Sequence, residues 1–165
     1  MQTFPVKDDF PDGFYDEIAH LVVAFGRVEY FIKLCIKSLL GQGFNRGMVE
    51  AESRRQFSTL CKKARQEAEK KLGQNQSQLF CGLIDQAEAL ADYRNDTIHA
   101  YWTTDSKTQP LRVRPKWDKS TKSVNWDRSR VVLVSELQQE RLKIEQLFDN
   151  LQAERDTWSV SAPST

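Results

Sequence analysis

The stretch at positions 93–102, Tyr-Arg-Asn-Asp-Thr-Ile-His-Ala-Tyr-Trp, holds the side chains of this sequence that are best suited to chemistry. Arg94 is followed by a polar residue, Asn95, and His99 comes five positions after the arginine. A guanidinium can clamp a phosphate through its planar fork. An imidazole, whose ordinary pKa is about 6.5, can move protons at physiological pH. The pair suits an anionic substrate such as a phosphodiester, and it predicts cleavage of RNA without a metal.

A structural role is the alternative for the same residues. An arginine near a helix end is often a surface or ion-paired residue, and a nearby histidine can cap carbonyl groups or complete a core. Arg94 continues an apolar stripe, because it lies four positions after Leu90 and three after Ala91. It is therefore expected to point inward. Glu29 lies within the apolar stripe of the first helical pattern and needs a partner, which Arg94 could provide.

The spacing of the motif also sets a geometrical condition. Five residues of an ideal helix turn through about 140°, so Arg94 and His99 do not share a face unless the helix tightens or ends between them. Asp92, Asn95 and His99 share a polar flank beside the arginine. We therefore expect a terminal helical turn that lines a cleft, with Asp92 and Glu29 as supporting groups.

Four stretches with apolar residues at three- and four-residue steps predict four helices. They begin at Phe14, Phe57, Leu79 and Ser135. Glycines at 41, 43 and 73 are expected to end the first two, and Gln74 to Ser77 to connect the second to the third. Ser135 is expected to open the fourth in a capping box with Gln138. Residues 159–165 are predicted to form a disordered tail after a single domain over 1–158.

Between the third and fourth helices, over about 109–134, the apolar period changes to two. This predicts a twisted two-stranded β-ribbon whose first strand is confined to a sheet edge by Pro110 and Pro115. Residues 107–130 carry eight Lys or Arg and two Asp, a local charge of +6. Cations beside tryptophans suit a nucleic-acid backbone with stacking bases. The candidates are Arg112, Arg114, Lys116, Trp117, Lys122 and Arg128. A solvated arm whose cations prevent edge pairing is the alternative.

Composition bounds the class of protein. The 165 residues are 39% hydrophobic and 28% charged, which is typical of one soluble domain with its own core. Apolar runs fall short of the ~20 residues that span a bilayer, and no secretory segment is visible, so we expect a cytoplasmic protein. Cys35, Cys61 and Cys81 are expected to be free thiols. The two histidines, His20 and His99, do not have the spacing of zinc ligands. Neither a metal nor another cofactor is predicted.

The motif and the four helical patterns together resemble the HEPN superfamily, the nucleotide-binding domain named for higher eukaryotes and prokaryotes. Its members are four-helix domains with an arginine, a polar residue after it, and a histidine four to six residues further on near the end of the third helix. Arg94, Asn95 and His99 match this pattern. Tyr101 extends the match to the Arg-x4-His-x-Tyr pattern of HEPN toxins. The resemblance covers nearly the whole chain except the ribbon.

The resemblance implies an up-and-down four-helix bundle and a metal-independent endoribonuclease that acts as a homodimer. His99 would serve as general base or acid, Arg94 would hold the phosphate, and Asn95 would orient the site. Tyr101 would be a target for adenylylation by a separate nucleotidyltransferase antitoxin. A toxin or an antiviral defence component is the expected role. The alternatives are a noncatalytic helical module that binds nucleic acid or a partner protein through its ribbon, and a structural dimer in which Arg94 only stabilises the core.

Overall fold

The structure is a computed structural model that describes residues 9–43, 47, 56–118, 120–125 and 129–158. The described chain is mainly helical, with four long helices and a small antiparallel sheet after the third, as predicted. The helices are α1 (Phe14–Leu40), α2 (Phe57–Lys71), α3 (Gln74–Ile98) and α4 (Val134–Asp156). The strands are β1 (Tyr101–Thr104), β2 (Pro110–Val113), β3 (Lys116–Asp118), β4 (Ser123–Asn125) and β5 (Arg130–Val131).

Glycines define both ends of α1. The helix begins directly after Gly13, which adopts φ +77°, and it ends where Gly41 adopts φ +62°. Both values lie in the left-handed region that glycine enters without a steric penalty. The Gly41 N–H donates to the Ser38 carbonyl at 3.1 Å and closes the last turn. The predicted end of this helix is therefore confirmed.

Two helix starts differ from the prediction. Helix α3 begins at Gln74, because the Ser77 N–H already donates to the Gly73 carbonyl at 2.9 Å. The polar residues at 74–76 were predicted to form a connection, but the first turn of a helix can present polar side chains to solvent. Helix α4 begins at Val134, so Ser135 lies inside its first turn and is not its cap.

The predicted two-stranded ribbon is only part of the sheet structure. Strands β3 and β4 form a two-stranded antiparallel sheet with Trp117 opposite Val124. Strands β1, β2 and β5 form a separate three-stranded sheet in the order β1-β2-β5. The prediction that prolines confine the first strand to an edge is wrong, because β2 is the central strand. Pro110 is tolerated as its first residue, and its carbonyl accepts the Val132 N–H at 2.9 Å.

The chain divides into two compact units. The first comprises Met1–Val22 and Tyr93–Leu142, and so contains both sheets, the start of α1 and the last turns of α3. Its core is built on Phe14, Val132 and Leu137. The ring of Trp102 packs against that of Phe14 with centroids 5.0 Å apart. This unit carries the 93–102 stretch.

The second unit comprises Val23–Asp92 and Lys143–Thr165. Its helical segments contact one another in a closed ring, which is typical of a helical bundle. The contacts are Phe25–Phe57, Phe31–Phe148, Phe80–Trp158 and the ion pair of Arg65 with Asp85. All three cysteines lie in this unit and are free, as predicted. The single domain over 1–158 stays a prediction, and the tail at 159–165 lies outside the described residues.

Among the helices that the structure describes, none combines the length and the apolar character needed to cross a membrane.

Candidate functional site

The three motif residues lie where α3 ends. Arg94 and Asn95 belong to its last turns, and the His99 N–H donates to the Asn95 carbonyl at 3.1 Å as the helix closes. Arg94 Nη1 donates to Asn95 Oδ1 at 2.9 Å. Both of these side chains are half-buried, whereas His99 is exposed. The helix therefore ends between the arginine and the histidine, which is the condition that the spacing of the motif required.

Side chains from β1 and from the residue just after β2 bind the carbonyl groups at this helix end. Trp102 Nε1 donates to the Thr97 carbonyl at 2.9 Å, and Arg114 Nη1 donates to the His99 carbonyl at 2.9 Å. Carbonyls in the last turn of a helix have no partner within the helix, and the negative end of the helix dipole favours a cation. Arg114 also forms an ion pair with Asp96 at 3.4 Å. Trp102 and Arg114 therefore stabilise the turn that carries His99.

The structure separates the predicted nucleic-acid-binding residues. Trp117 is 58% exposed in β3, and Lys122 is exposed in the β3–β4 turn. Arg112 instead lies in the interior, 5% exposed, with its guanidinium 5.4 Å from the centroid of the Tyr93 ring. Burial lowers the pKa of Arg112, and the neighbouring Arg130 lowers it further. Because of this burial, we assign Arg112 to the packing of the sheet and not to a binding surface.

The remaining two candidates of this set are not described at the level of side chains. Lys116 belongs to β3 by its backbone, and Arg128 lies outside the described residues. Arg114, by contrast, is half-buried beside the end of α3. Among the cations of the predicted set whose side chains the structure describes, Arg114 is the one that contacts the motif.

A polar network beside Arg112 was not predicted. Arg130 binds Glu136 through both terminal nitrogens, at 2.7 and 2.6 Å, and Tyr93 Oη donates to Glu136 Oε1 at 2.9 Å. The hydrogen bonds from Arg130 hold the pKa of Glu136 below its usual value. Burial, and then the hydrogen bond to Glu136, raise the pKa of Tyr93. Tyr93 and Glu136 are 43 positions apart in the sequence, so no local pattern predicts their contact.

The remaining predicted residues are Tyr101, Asp92 and Glu29. Tyr101, the candidate for modification, opens β1 opposite Val113 and is 43% exposed. Asp92 is exposed on α3. Glu29 belongs to the second unit, where its carboxylate lies 3.4 Å from Lys33 Nζ. The pairing of Glu29 with Arg94 stays a prediction.

The part of the chain that the structure describes contains no cluster of three or more His, Cys, Asp or Glu side chains with the geometry to hold a metal ion. The polar side chains that the structure places at the end of α3 include those of Arg94, Asn95, His99 and Arg114. No family model, curated protein or solved structure matches the chain.

Proposed function

We propose that this protein is a metal-independent endoribonuclease of the HEPN type, acting as a homodimer. The observation that carries the proposal is the hydrogen bond of 2.9 Å between Arg94 Nη1 and Asn95 Oδ1, one helical turn before an exposed His99. The bond holds a permanent cation at the end of α3. The exposed imidazole that follows is accessible to a substrate as large as RNA.

The proposed reaction is an internal transesterification. His99 takes the proton from a ribose 2′-hydroxyl, and the oxygen attacks the adjacent phosphorus. The bond to the 5′-oxygen breaks, which leaves a 2′,3′-cyclic phosphate and, after protonation, a 5′-hydroxyl. Arg94 binds the phosphate and offsets the charge that develops in the transition state. Asn95 fixes the guanidinium through its side-chain oxygen.

A HEPN bundle with up-and-down helices is the fold that accompanies this proposal. In the homodimer, the motifs of two copies face each other, and the His99 of the second copy provides the acid that protonates the leaving oxygen. Exposed residues of the small sheets would bind the flanking RNA. Stacking of one base on an aromatic ring such as Trp117 contributes about 1–3 kcal/mol, and Lys122 adds a phosphate contact.

The biological role that we propose is that of a toxin or an antiviral defence component. Tyr101 is 43% exposed, and its hydroxyl group is the proposed target of modification by a separate nucleotidyltransferase antitoxin. An added nucleotide would place bulk and negative charge two residues from His99. The negative charge of this nucleotide would then repel the RNA phosphate.

The test is incubation of purified protein with end-labelled single-stranded RNA in excess EDTA. The wild type should cleave and leave cyclic-phosphate ends, while His99→Ala and Arg94→Ala should lose activity. His20→Ala is the matched control, since His20 is the other histidine of the chain and is exposed on α1. Cleavage that stops in EDTA, or that survives His99→Ala, would refute the assignment.

A noncatalytic module that binds nucleic acid through the β3–β4 hairpin is the second candidate. Its support is an exposed apolar pair, because Trp117 and its cross-strand neighbour Val124 are 58% and 42% exposed. Fluorescence anisotropy with labelled RNA distinguishes the candidates. If the module is noncatalytic, Trp117→Ala and Lys122→Ala should weaken binding, His99→Ala should not, and no preparation should cleave.

A further inference from the structure

We infer that Arg114 is a positioning residue, which fixes the peptide that carries His99 and thereby orients the imidazole. The inference deepens the proposed function, and its catalytic part rests on that function. It concerns a residue outside the Arg94–His99 motif, contributed by the chain just after β2. Arg114 acts on the backbone of His99 and not on the substrate.

The guanidinium of Arg114 contacts the backbone of His99. Arg114 Nη1 donates to the carbonyl oxygen of His99 at 2.9 Å. His99 is the first residue after α3, and Tyr101 already belongs to β1. The backbone therefore turns from helix to strand at positions 99 and 100. The His99 N–H is held by the Asn95 carbonyl of α3, whereas the His99 carbonyl lies beyond the last residue of the helix. A hydrogen bond to the His99 carbonyl restricts the orientation of that peptide plane and, through it, the direction of the imidazole.

Arg114 is itself held in place by its surroundings. Pro115 follows it, and the residue before a proline is restricted to extended backbone conformations. The Arg114 N–H donates to Ser129 Oγ at 3.1 Å. Its Nε lies 3.4 Å from Asp96 Oδ1, in the last turn of α3. Contacts of both its backbone and its guanidinium therefore fix the position of Arg114.

Arginine suits this position better than other residues. Its guanidinium reaches a carbonyl and a carboxylate on neighbouring turns at the same time, because the donors point in fixed directions. Lysine supplies the charge that favours the C-terminal end of a helix but has no planar fork. Arg114→Lys should therefore keep part of the effect and Arg114→Ala none.

The first test is kinetic and uses the full-length protein with single-stranded RNA in EDTA. Arg114→Ala should lower kcat about 10- to 100-fold, the loss expected when a reacting group is displaced by about 1 Å, and should leave KM within about twofold. Arg114→Lys should be intermediate. Lys107→Ala is the matched control, because Lys107 is an exposed cation in the loop between β1 and β2. An unchanged kcat, or a raised KM with kcat unchanged, would overturn the inference, since the latter identifies a phosphate contact.

The second test does not require activity. The amide of Ala100 shares its peptide plane with the His99 carbonyl, so its ¹⁵N chemical shift reports the hydrogen bond from Arg114. Arg114→Ala should shift the Ala100 amide resonance strongly and Lys107→Ala should leave it in place, with both variants checked for folding by circular dichroism. An unshifted Ala100 resonance would overturn the inference. If the wild type does not cleave RNA, the proposed function fails while this measurement still decides the role of Arg114.

Discussion

Replacement of Glu136 by glutamine should destabilise the protein in a manner that depends on pH. The carboxylate accepts hydrogen bonds from both terminal nitrogens of Arg130 and from Tyr93 Oη. Glutamine keeps the size of the side chain but replaces one acceptor by an NH₂ group, which faces the donors of Arg130. The substitution therefore removes the charge and one side of the fork with little change in packing.

The magnitude follows from the exposure of each partner. Arg130 is 46% exposed, so its ion pair contributes about 0–1 kcal/mol. A hydrogen bond from the half-buried Tyr93 to a charged acceptor contributes about 1.5–3 kcal/mol. The amide oxygen of glutamine can still accept from Tyr93, and such a neutral bond retains about 1 kcal/mol. We expect Glu136→Gln to lower the free energy of unfolding by about 0.5–3 kcal/mol at pH 7.

The pH dependence has a definite sign. Hydrogen bonds from Arg130 lower the pKa of Glu136 in the folded protein, while the unfolded chain has the ordinary value of about 4.3. The stabilisation is therefore fully present above the unfolded pKa and is lost as the pH falls through the folded pKa. The difference between wild type and Glu136→Gln should stay constant from about pH 7 to 5 and shrink below about pH 4.

Urea denaturation followed by circular dichroism at pH 7, 5, 4 and 3 measures the effect. Glu69→Gln, an exposed carboxylate on α2, is the control and should change stability by less than about 0.5 kcal/mol. A double-mutant cycle with Tyr93→Phe should give a coupling energy of about 1 kcal/mol. A difference that persists unchanged at pH 3, or a coupling near zero, would show that the network contributes no charge-dependent stability.

Three further predictions concern other parts of the chain. Phe14→Ala should lower the free energy of unfolding by about 3–5 kcal/mol in urea titrations, since Phe14 is 1% exposed in the core of its unit; a loss below 1 kcal/mol would contradict this packing. Burial raises the pKa of Cys35 to about 12, so iodoacetamide at pH 8 should label Cys35 slowly and the half-buried Cys81 first. Equal labelling of the two cysteines, measured by mass spectrometry, would contradict the burial of Cys35. Trp117→Ala should change stability by less than about 0.5 kcal/mol in the same titrations.

The sequence predicted the helices better than the sheets. Regular apolar steps run through most of α1 and α2, and glycines mark their ends, so local information defines these elements. Strand β1 has four residues, too few for a period of two to stand out after a long helical pattern. The central position of β2 depends on pairing with Arg130 and Val131, almost twenty residues away. Such pairings leave little trace in the local pattern.

In the candidate site, too, the sequence predicted the local features but not the contacts between distant residues. The neighbouring Arg94 and Asn95, and the end of the helix before His99, are local features that the motif predicted. Arg114 was recognised only as one cation of a basic segment, because its contacts with Asp96 and His99 cross 18 and 15 residues. Arg112 belongs to the same basic segment but is buried. Charge counting alone cannot distinguish a buried arginine from a cation available to a ligand.

The aromatic contacts give each compact unit its own optical reporter. Trp102 packs edge to face on Phe14 in the first unit, and Trp158 packs on Phe80 in the second, with ring centroids 5.0 Å apart in both pairs. Indole emission shifts to longer wavelength when water reaches the ring. A variant that retains only Trp102 and another that retains only Trp158 would therefore record the opening of each unit separately. Superimposable transitions would mean one cooperative folding unit, and displaced transitions would mean that the end of α3 can loosen while the helical bundle stays closed.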